Sequence, residues 1–241
     1  MPQPFLFNLI DKAVFDYKLI QNADRILVGA SGGKDSTALI EYFANRKKRP
    51  GSDFEFTALN VCTEFGGALP ENIAALFAEW NVPLVTVNVD VQGRLKPGRK
   101  MSCYWCSTQR RTELIDYAVK NNFNKIALGH HMDDILETLL MNMLDKSELS
   151  TMPPRLKYKN YPLEIIRPLC YACEETIVSH AESAGYKCWT CTCDFQDNSA
   201  RKDARRRLEL LTGGDRKKKE HMFNSLKKLS RNIFPKKKRS L

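Results

Sequence analysis

The chain has 241 residues, 43% of them apolar, and 38 Lys/Arg against 28 Asp/Glu give a net charge of +10. There is enough apolar material for a packed core, and no run of about eighteen apolar residues that a membrane helix would require. Residues 201–241 hold 16 Lys/Arg and 4 Asp/Glu while the rest is near neutral, so the basic stretch suits a phosphate backbone, RNA more than lipid.

In chain order, Phe5 to Ile20 has a helical apolar period, and Arg25 to Ala30 reads as a buried strand. A helix follows from Lys34 to the Arg46–Gly51 cluster, then a strand from Phe54 to Val61. Pro70 opens a helix to Trp80, with its missing N–H at the first position. Val82 to Val89 is a strand and Gln92 to Met101 a loop. Cys106 to Asn122 is expected to be a helix, with Cys103 just ahead of it. Lys125 to Gly129 is a strand, Met132 to Leu144 a helix, Ser147 to Tyr161 irregular, Leu163 to Leu169 a strand and Glu174 to Ala184 a helix. Strands alternating with helices imply an α/β fold, a parallel sheet flanked by helices, with a basic helical C-terminal extension. The expected domains are an N-terminal helix at 1–24, the main α/β domain at 25–190, and a cysteine-containing junction with a basic helical tail at 191–241.

Ser31-Gly32-Gly33-Lys34-Asp35-Ser36 lies between a strand and a helix. Paired glycines let backbone N–H groups turn inward, and a helix N-terminus adds partial positive charge, so the stretch suits phosphates. Lys34 supplies a point charge, and Ser31 and Ser36 hydroxyl donors. The pattern is not Walker A, which spaces its glycines differently. It matches the signature of the PP-loop ATP pyrophosphatases, which resemble one another in splitting ATP into AMP and pyrophosphate.

Cysteines come in three groups: Cys103 with Cys106, Cys170 with Cys173, and Cys188, Cys191 and Cys193. No secretory signal opens the sequence, so a cytoplasmic location is expected, where eight cysteines stay reduced. Such spacings fit a structural zinc, an iron–sulfur cluster or a redox pair, and spacing alone does not choose. Cys62 reads as a buried strand cysteine, and Cys170 and Cys173 as packing residues. Gly129-His130-His131-Met132-Asp133-Asp134 sits at a strand-to-helix junction, where it would either cap a helix or line a pocket. Arg110 and Arg111 would reach RNA phosphate or lie on a solvated face.

With these motifs, Met152-Pro153-Pro154, Ile166-Arg167-Pro168-Leu169 and the spacing of Cys193 to Arg201, the chain resembles the tRNA 2-thiocytidine synthetases from about Phe15 to Leu210. The resemblance implies an ATP-dependent enzyme that adenylates the C2 oxygen of a tRNA cytidine and replaces it by sulfur through a 4Fe–4S cluster. It implies ATP and Mg2+ at Ser31, Gly32, Gly33, Lys34, Asp35, Ser36, Gly129 and His130, with Lys34, Asp35 and Asp134 in catalysis. It also implies cluster ligation by Cys103, Cys106 and a third cysteine, Cys193 by its spacing to Arg201, with Cys191 and Cys188 as the alternatives. The expected partners are tRNA and a cysteine desulfurase or other sulfur donor, with a homodimer possible and no membrane. The rival readings are a lysidine synthetase, a 2-thiouridine synthetase and a non-catalytic zinc-dependent RNA-binding protein. The cysteines argue against the first, their absence before Ser31 against zinc-ribbon members of the second, and the intact glycine loop against the third.

Overall fold

A computed structural model describes residues 3–186 and 199–228. The described residues fall into two compact units, the first within residues 1–131 and 153–199 and the second within 132–152 and 200–241.

The first unit is built on a six-stranded sheet. Its strands are β1 (Asp24–Gly29), β2 (Phe54–Thr63), β3 (Leu84–Val89), β4 (Lys125–Ala127), β5 (Arg155–Lys157) and β6 (Glu164–Ile166), in the order β3-β2-β1-β4-β6-β5. All neighbours are parallel except β5 and β6. The helices are α1 (Phe5–Tyr17), α2 (Lys34–Lys47), α3 (Glu71–Glu79), α4 (Cys103–Lys120) and, after a 3-10 turn at Pro168–Tyr171, a helix at Glu174–Ser183. Right-handed crossovers put α2 and α3 on one face and α4 on the other.

Ile26, Leu27 and Val28 are all fully buried, as a central strand covered on both faces requires. Leu27, Leu59, Val61 and Ile126 pack with Leu114, Ile115 and Tyr117 of α4. On the opposite face, Phe43 of α2 meets Phe54 and Phe56 edge-on or tilted, 6.0 and 5.5 Å between centroids. Strand parity explains the split, because Phe54 and Phe56 alternate with Thr57, Leu59 and Val61. The strand bottoms are tied by a buried ion pair, Lys125 Nζ to Asp24 Oδ2 at 2.6 Å, and Lys125 also donates to the Leu19 carbonyl.

The second unit contains the next helix, α5 (Met132–Lys146), and the basic helices α7 (Ser199–Thr212) and α8 (Arg216–Lys228), the helix at Glu174–Ser183 being α6. The acidic row of α5 faces their cations. Lys219 Nζ lies 2.8 Å from Asp133 Oδ1 with both side chains buried. Arg205 Nε lies 2.8 Å from Glu137 Oε1, and Arg201 reaches Asp134 Oδ1 at 3.3 Å.

Several local expectations change. The stretch expected to be irregular contains the antiparallel edge strand β5, whose Arg155 grips Glu164 of β6 through Nε and Nη2 at 2.8 and 2.9 Å. Pro70 precedes α3 as its N-cap rather than occupying the first helical position. Helix α4 begins a turn early, because Ser102 accepts from Trp105 N at 3.2 Å and draws Cys103 into the first turn.

Candidate active site

Strand order reverses between β1 and β4. The chain runs outward from β1 to β3 and then returns to the other side of β1. Ligands of open α/β sheets bind at the carboxyl edge of such a switch point. The loops found there are Ala30–Gly33 after β1 and Leu128–His131 after β4. The two approach so closely that a Cβ on Gly129 would meet Ser36 N at 3.1 Å and Asp35 C at 3.2 Å.

The glycine loop is held in shape before any ligand arrives. Gly32 takes a φ of +78°, which glycine adopts without strain, beneath Pro70 and Leu69. Ser36 Oγ donates to the Gly33 carbonyl at 3.0 Å and accepts from Ser31 N at 3.2 Å. With that proton committed, the 3.0 Å contact between hydroxyls has Ser31 Oγ donating to Ser36 Oγ. The hydroxyls expected to face phosphate therefore brace the loop first. The backward hydrogen bond from Thr37 N to Gly33 O opens α2, so the amides before it lie at the helix end, where anions are favoured.

Lys34 Nζ sits 3.0 Å from Glu174 Oε1 and 3.3 Å from Asp35 Oδ1. Burial works against its charge, but Asp35 and Glu174 outweigh it and raise its pKa above the ordinary lysine value. Lys34 is thus a fixed cation. Glu174 was not singled out in the sequence; its only local sign is its place in the first turn of α6. That turn is set beside Lys34 because α6 docks on α2, through His180 Nε2 and Glu41 Oε2 at 2.7 Å.

Asn60 is a second residue not singled out. Its fully buried amide donates to Ala30 O at 2.8 Å and Gly67 O at 2.9 Å, joining the loops after β1 and β2. A lone Asn in an apolar strand was the available signal. Cys62 is half-buried rather than buried, with Sγ donating to Asn60 Oδ1 at 3.0 Å. Burial pushes its thiol pKa up, against a smaller pull from Arg110. Arg110 donates to the Gly66 carbonyl at 3.0 Å and so clasps the β2 turn, while Arg111 is exposed.

His130 is half-buried and His131 buried, the latter with Nε2 3.9 Å from Asp35 Oδ1. Asp134 belongs to the second unit, where Arg201 faces it. Arg167 N donates to Pro154 O at 2.8 Å, and its guanidinium to Pro153 O at 2.6 Å, so Pro153-Pro154 is held against the Arg167-Pro168 turn. Burial, helped by Arg111, pushes the Arg167 pKa down to about 10.

Cys103 and Cys106 occupy the first turn of α4, and the crossover from β3 delivers that turn to the carboxyl edge of the sheet. Three residues apart on a helix, they share one face. Both thiols are half-buried, and thiolates are the ligands that iron and zinc take from cysteine. The two therefore fit a cluster-binding role. Cys193, with Cys188 and Cys191, lies outside the described residues. Cys170 and Cys173 are buried at the turn into α6.

No helix among the described residues is long and apolar enough to cross a membrane. Residues 8–209 match the PP-loop domain family. The chain is 33% identical over 228 residues to the tRNA-cytidine(32) 2-sulfurtransferase of Legionella pneumophila (strain Paris), covering 93% of this chain and 81% of that protein. It is 35% identical over 225 residues to the protein of the same name from Anaeromyxobacter dehalogenans (strain 2CP-C), covering 92% and 78%. In fold it is similar to the U34-tRNA thiolase NcsA from Methanococcus maripaludis, a structure with its 4Fe–4S cluster. That match has a TM-score of 0.77 at 20% identity and covers 93% of this chain and 78% of that one. The chain belongs to the PP-loop proteins and, among them, to the tRNA-cytidine 2-sulfurtransferase family.

Proposed function

We propose that this protein is an ATP-dependent tRNA sulfurtransferase that converts a tRNA cytidine, position 32 by the relatives' names, to 2-thiocytidine. The observation that carries the reading is the braced glycine loop with Lys34 at its mouth, on a chain that also sets Cys103 and Cys106 at the same sheet edge.

The C2 oxygen of cytosine is a poor leaving group. In the first step it attacks the α-phosphorus of ATP, an O–P bond forms, and the bond to pyrophosphate breaks. Lys34 and the first-turn amides of α2 stabilise the charge that gathers on the departing pyrophosphate. Asp35 offers oxygen to Mg2+. Gly129 lets the loop after β4 close onto the first turn of α2, and His130 lines the cleft beside it. Sulfide then adds to C2, the C2–O bond breaks, and AMP leaves. A 4Fe–4S cluster, when bound, would supply the sulfur-transfer chemistry. In this chain Cys103, Cys106 and Cys193 would hold it. Asp134 is assigned an acidic role in the same reaction. The target base must be splayed from its stack to reach the site. A cysteine desulfurase or other sulfur donor, a homodimer and a cytoplasmic location complete the reading.

The test is pyrophosphate release from ATP on adding an unmodified tRNA transcript. Wild type is expected to release it, and Lys34→Ala to lose about 100- to 1,000-fold in rate while keeping its fold. Equal rates in the two proteins would overturn the assignment.

A further inference from the structure

The loop between β3 and α4 carries Arg94, Lys96, Arg99 and Lys100 and no acid after Asp90. It is held in place. Glu64 accepts from Val91 N at 3.0 Å and Gln92 N at 2.5 Å, Asp90 accepts from Gly93 N at 2.7 Å, and Trp105 Nε1 donates to Val91 O at 3.1 Å. Arg94 is taken by Glu113 at 2.6 Å. The nearby carboxylates are thereby occupied. Lys96, Arg99 and Lys100 are exposed and have no ion pair among the described residues.

These three cations rim a pocket of about 370 Å3 whose walls are mostly apolar, with Leu95 and Trp105 among them. Tyr104 also lines it and is 81% exposed. An aromatic ring left in water beside unpaired cations has the composition of a site for single-stranded nucleic acid, where bases stack and phosphates meet Lys and Arg. Tyr104 and Trp105 are also the two residues between Cys103 and Cys106, so whatever fills this pocket lies next to that pair.

We propose that this pocket receives an unstacked nucleobase adjacent to the cytidine being modified, stacked on Tyr104, with Lys96, Arg99 and Lys100 on the neighbouring phosphates. The proposal rests on the tRNA reading above and adds to it a site that positions the substrate loop. Its selectivity is for single-stranded RNA of any sequence, since every base presents a π face.

The experiment is fluorescence anisotropy of the full-length protein with a labelled unmodified tRNA transcript carrying cytidine at position 32, across a salt series. K96A/R99A/K100A is expected to bind at least tenfold more weakly near 0.1 M salt. The slope of log affinity against log salt should shrink by about 2 to 3, one unit or slightly less per phosphate contact. Tyr104→Ala should weaken binding about tenfold with the slope unchanged, and Tyr104→Phe should restore it. ATP affinity should be the same in all variants, which reports an intact fold. Repeating the series on metal-free protein separates lost stacking from a disturbed cysteine pair. Wild-type affinity and slope in the triple variant would overturn the phosphate contacts, and equal losses in Tyr104→Ala and Tyr104→Phe would overturn the stacking. A wild type that releases pyrophosphate on adding tRNA, with variants binding as it does, removes this pocket alone. A wild type that does not hold the transcript removes the tRNA reading as well.

Discussion

Lys34 is held between Asp35 and Glu174, and a phosphate entering the loop must take it from them. Glu174 therefore opposes an anion while it positions the lysine. Glu174→Gln should tighten ATP binding roughly 3- to 10-fold, the effect of one screened charge at a half-buried site. Calorimetric titration would show it, and weaker binding would mean that Glu174 helps to hold the nucleotide or its metal. Gly129 gives the opposite kind of test. A methyl there would meet the backbone of Asp35 and Ser36, so Gly129→Ala should cost about 1–3 kcal/mol in thermal unfolding. It should also lower the rate of pyrophosphate release, because the crowded atoms are those of the phosphate-facing turn.

At the scale of elements, α1 and α2 are clamped by Asp11. Its carboxylate accepts from Tyr42 Oη at 2.6 Å, Arg46 at 3.0 Å, Arg49 at 2.9 Å and Gln3 at 2.8 Å. Burial alone would raise its pKa, but the hydrogen bonds from Tyr42, Gln3 and Arg49 outweigh it and hold the carboxyl below its ordinary value of 3.8. Unfolded Asp11 thus takes up a proton before folded Asp11 does. The clamp's stabilisation is complete above the unfolded value and is lost as pH falls from there through the lowered one. Asp11→Asn should lower the Tm at pH 7 and flatten the acid side of a Tm-against-pH curve. An unchanged acid limb would place that loss elsewhere.

The elements themselves were largely legible. Periodicity placed β1, α2, β2, α3 and β3 to within a few residues, because buried strands and amphipathic helices write their periods into the chain. The antiparallel β5 was not legible. Its three residues, Arg155-Leu156-Lys157, have no apolar period, and the strand exists because β6 offers an edge and Glu164 a partner for Arg155. The start of α4 was missed for a related reason, since the Ser102 cap is a single hydrogen bond. In the site, contiguous residues such as Ser31–Ser36 could be read directly. Glu174 and Asn60 could not, because docking of α6 on α2 and the meeting of two loops bring them in.

For the molecule as a whole, the second unit gathers the acids of α5 against the cations of α7 and α8. Glu137 is buried, and burial raises its pKa despite Arg205 and Arg201. Removing a partner from such a group leaves a buried charge without compensation, so Arg205→Ala should lower the Tm more than loss of an exposed arginine such as Arg206. Equal small effects would show that water takes the place of Arg205.

ATP cleavage at the glycine loop is proposed to serve sulfur transfer to tRNA cytidine. That role is tested most directly by mass spectrometry of nucleosides from an unmodified tRNA transcript incubated anaerobically with the iron-reconstituted protein, sulfide, Mg2+ and ATP. 2-Thiocytidine is expected with the wild-type protein, and none without ATP, with Lys34→Ala or with Cys106→Ala. Thiolation that persists without ATP, or a wild-type protein that leaves cytidine unmodified under these conditions, would contradict it.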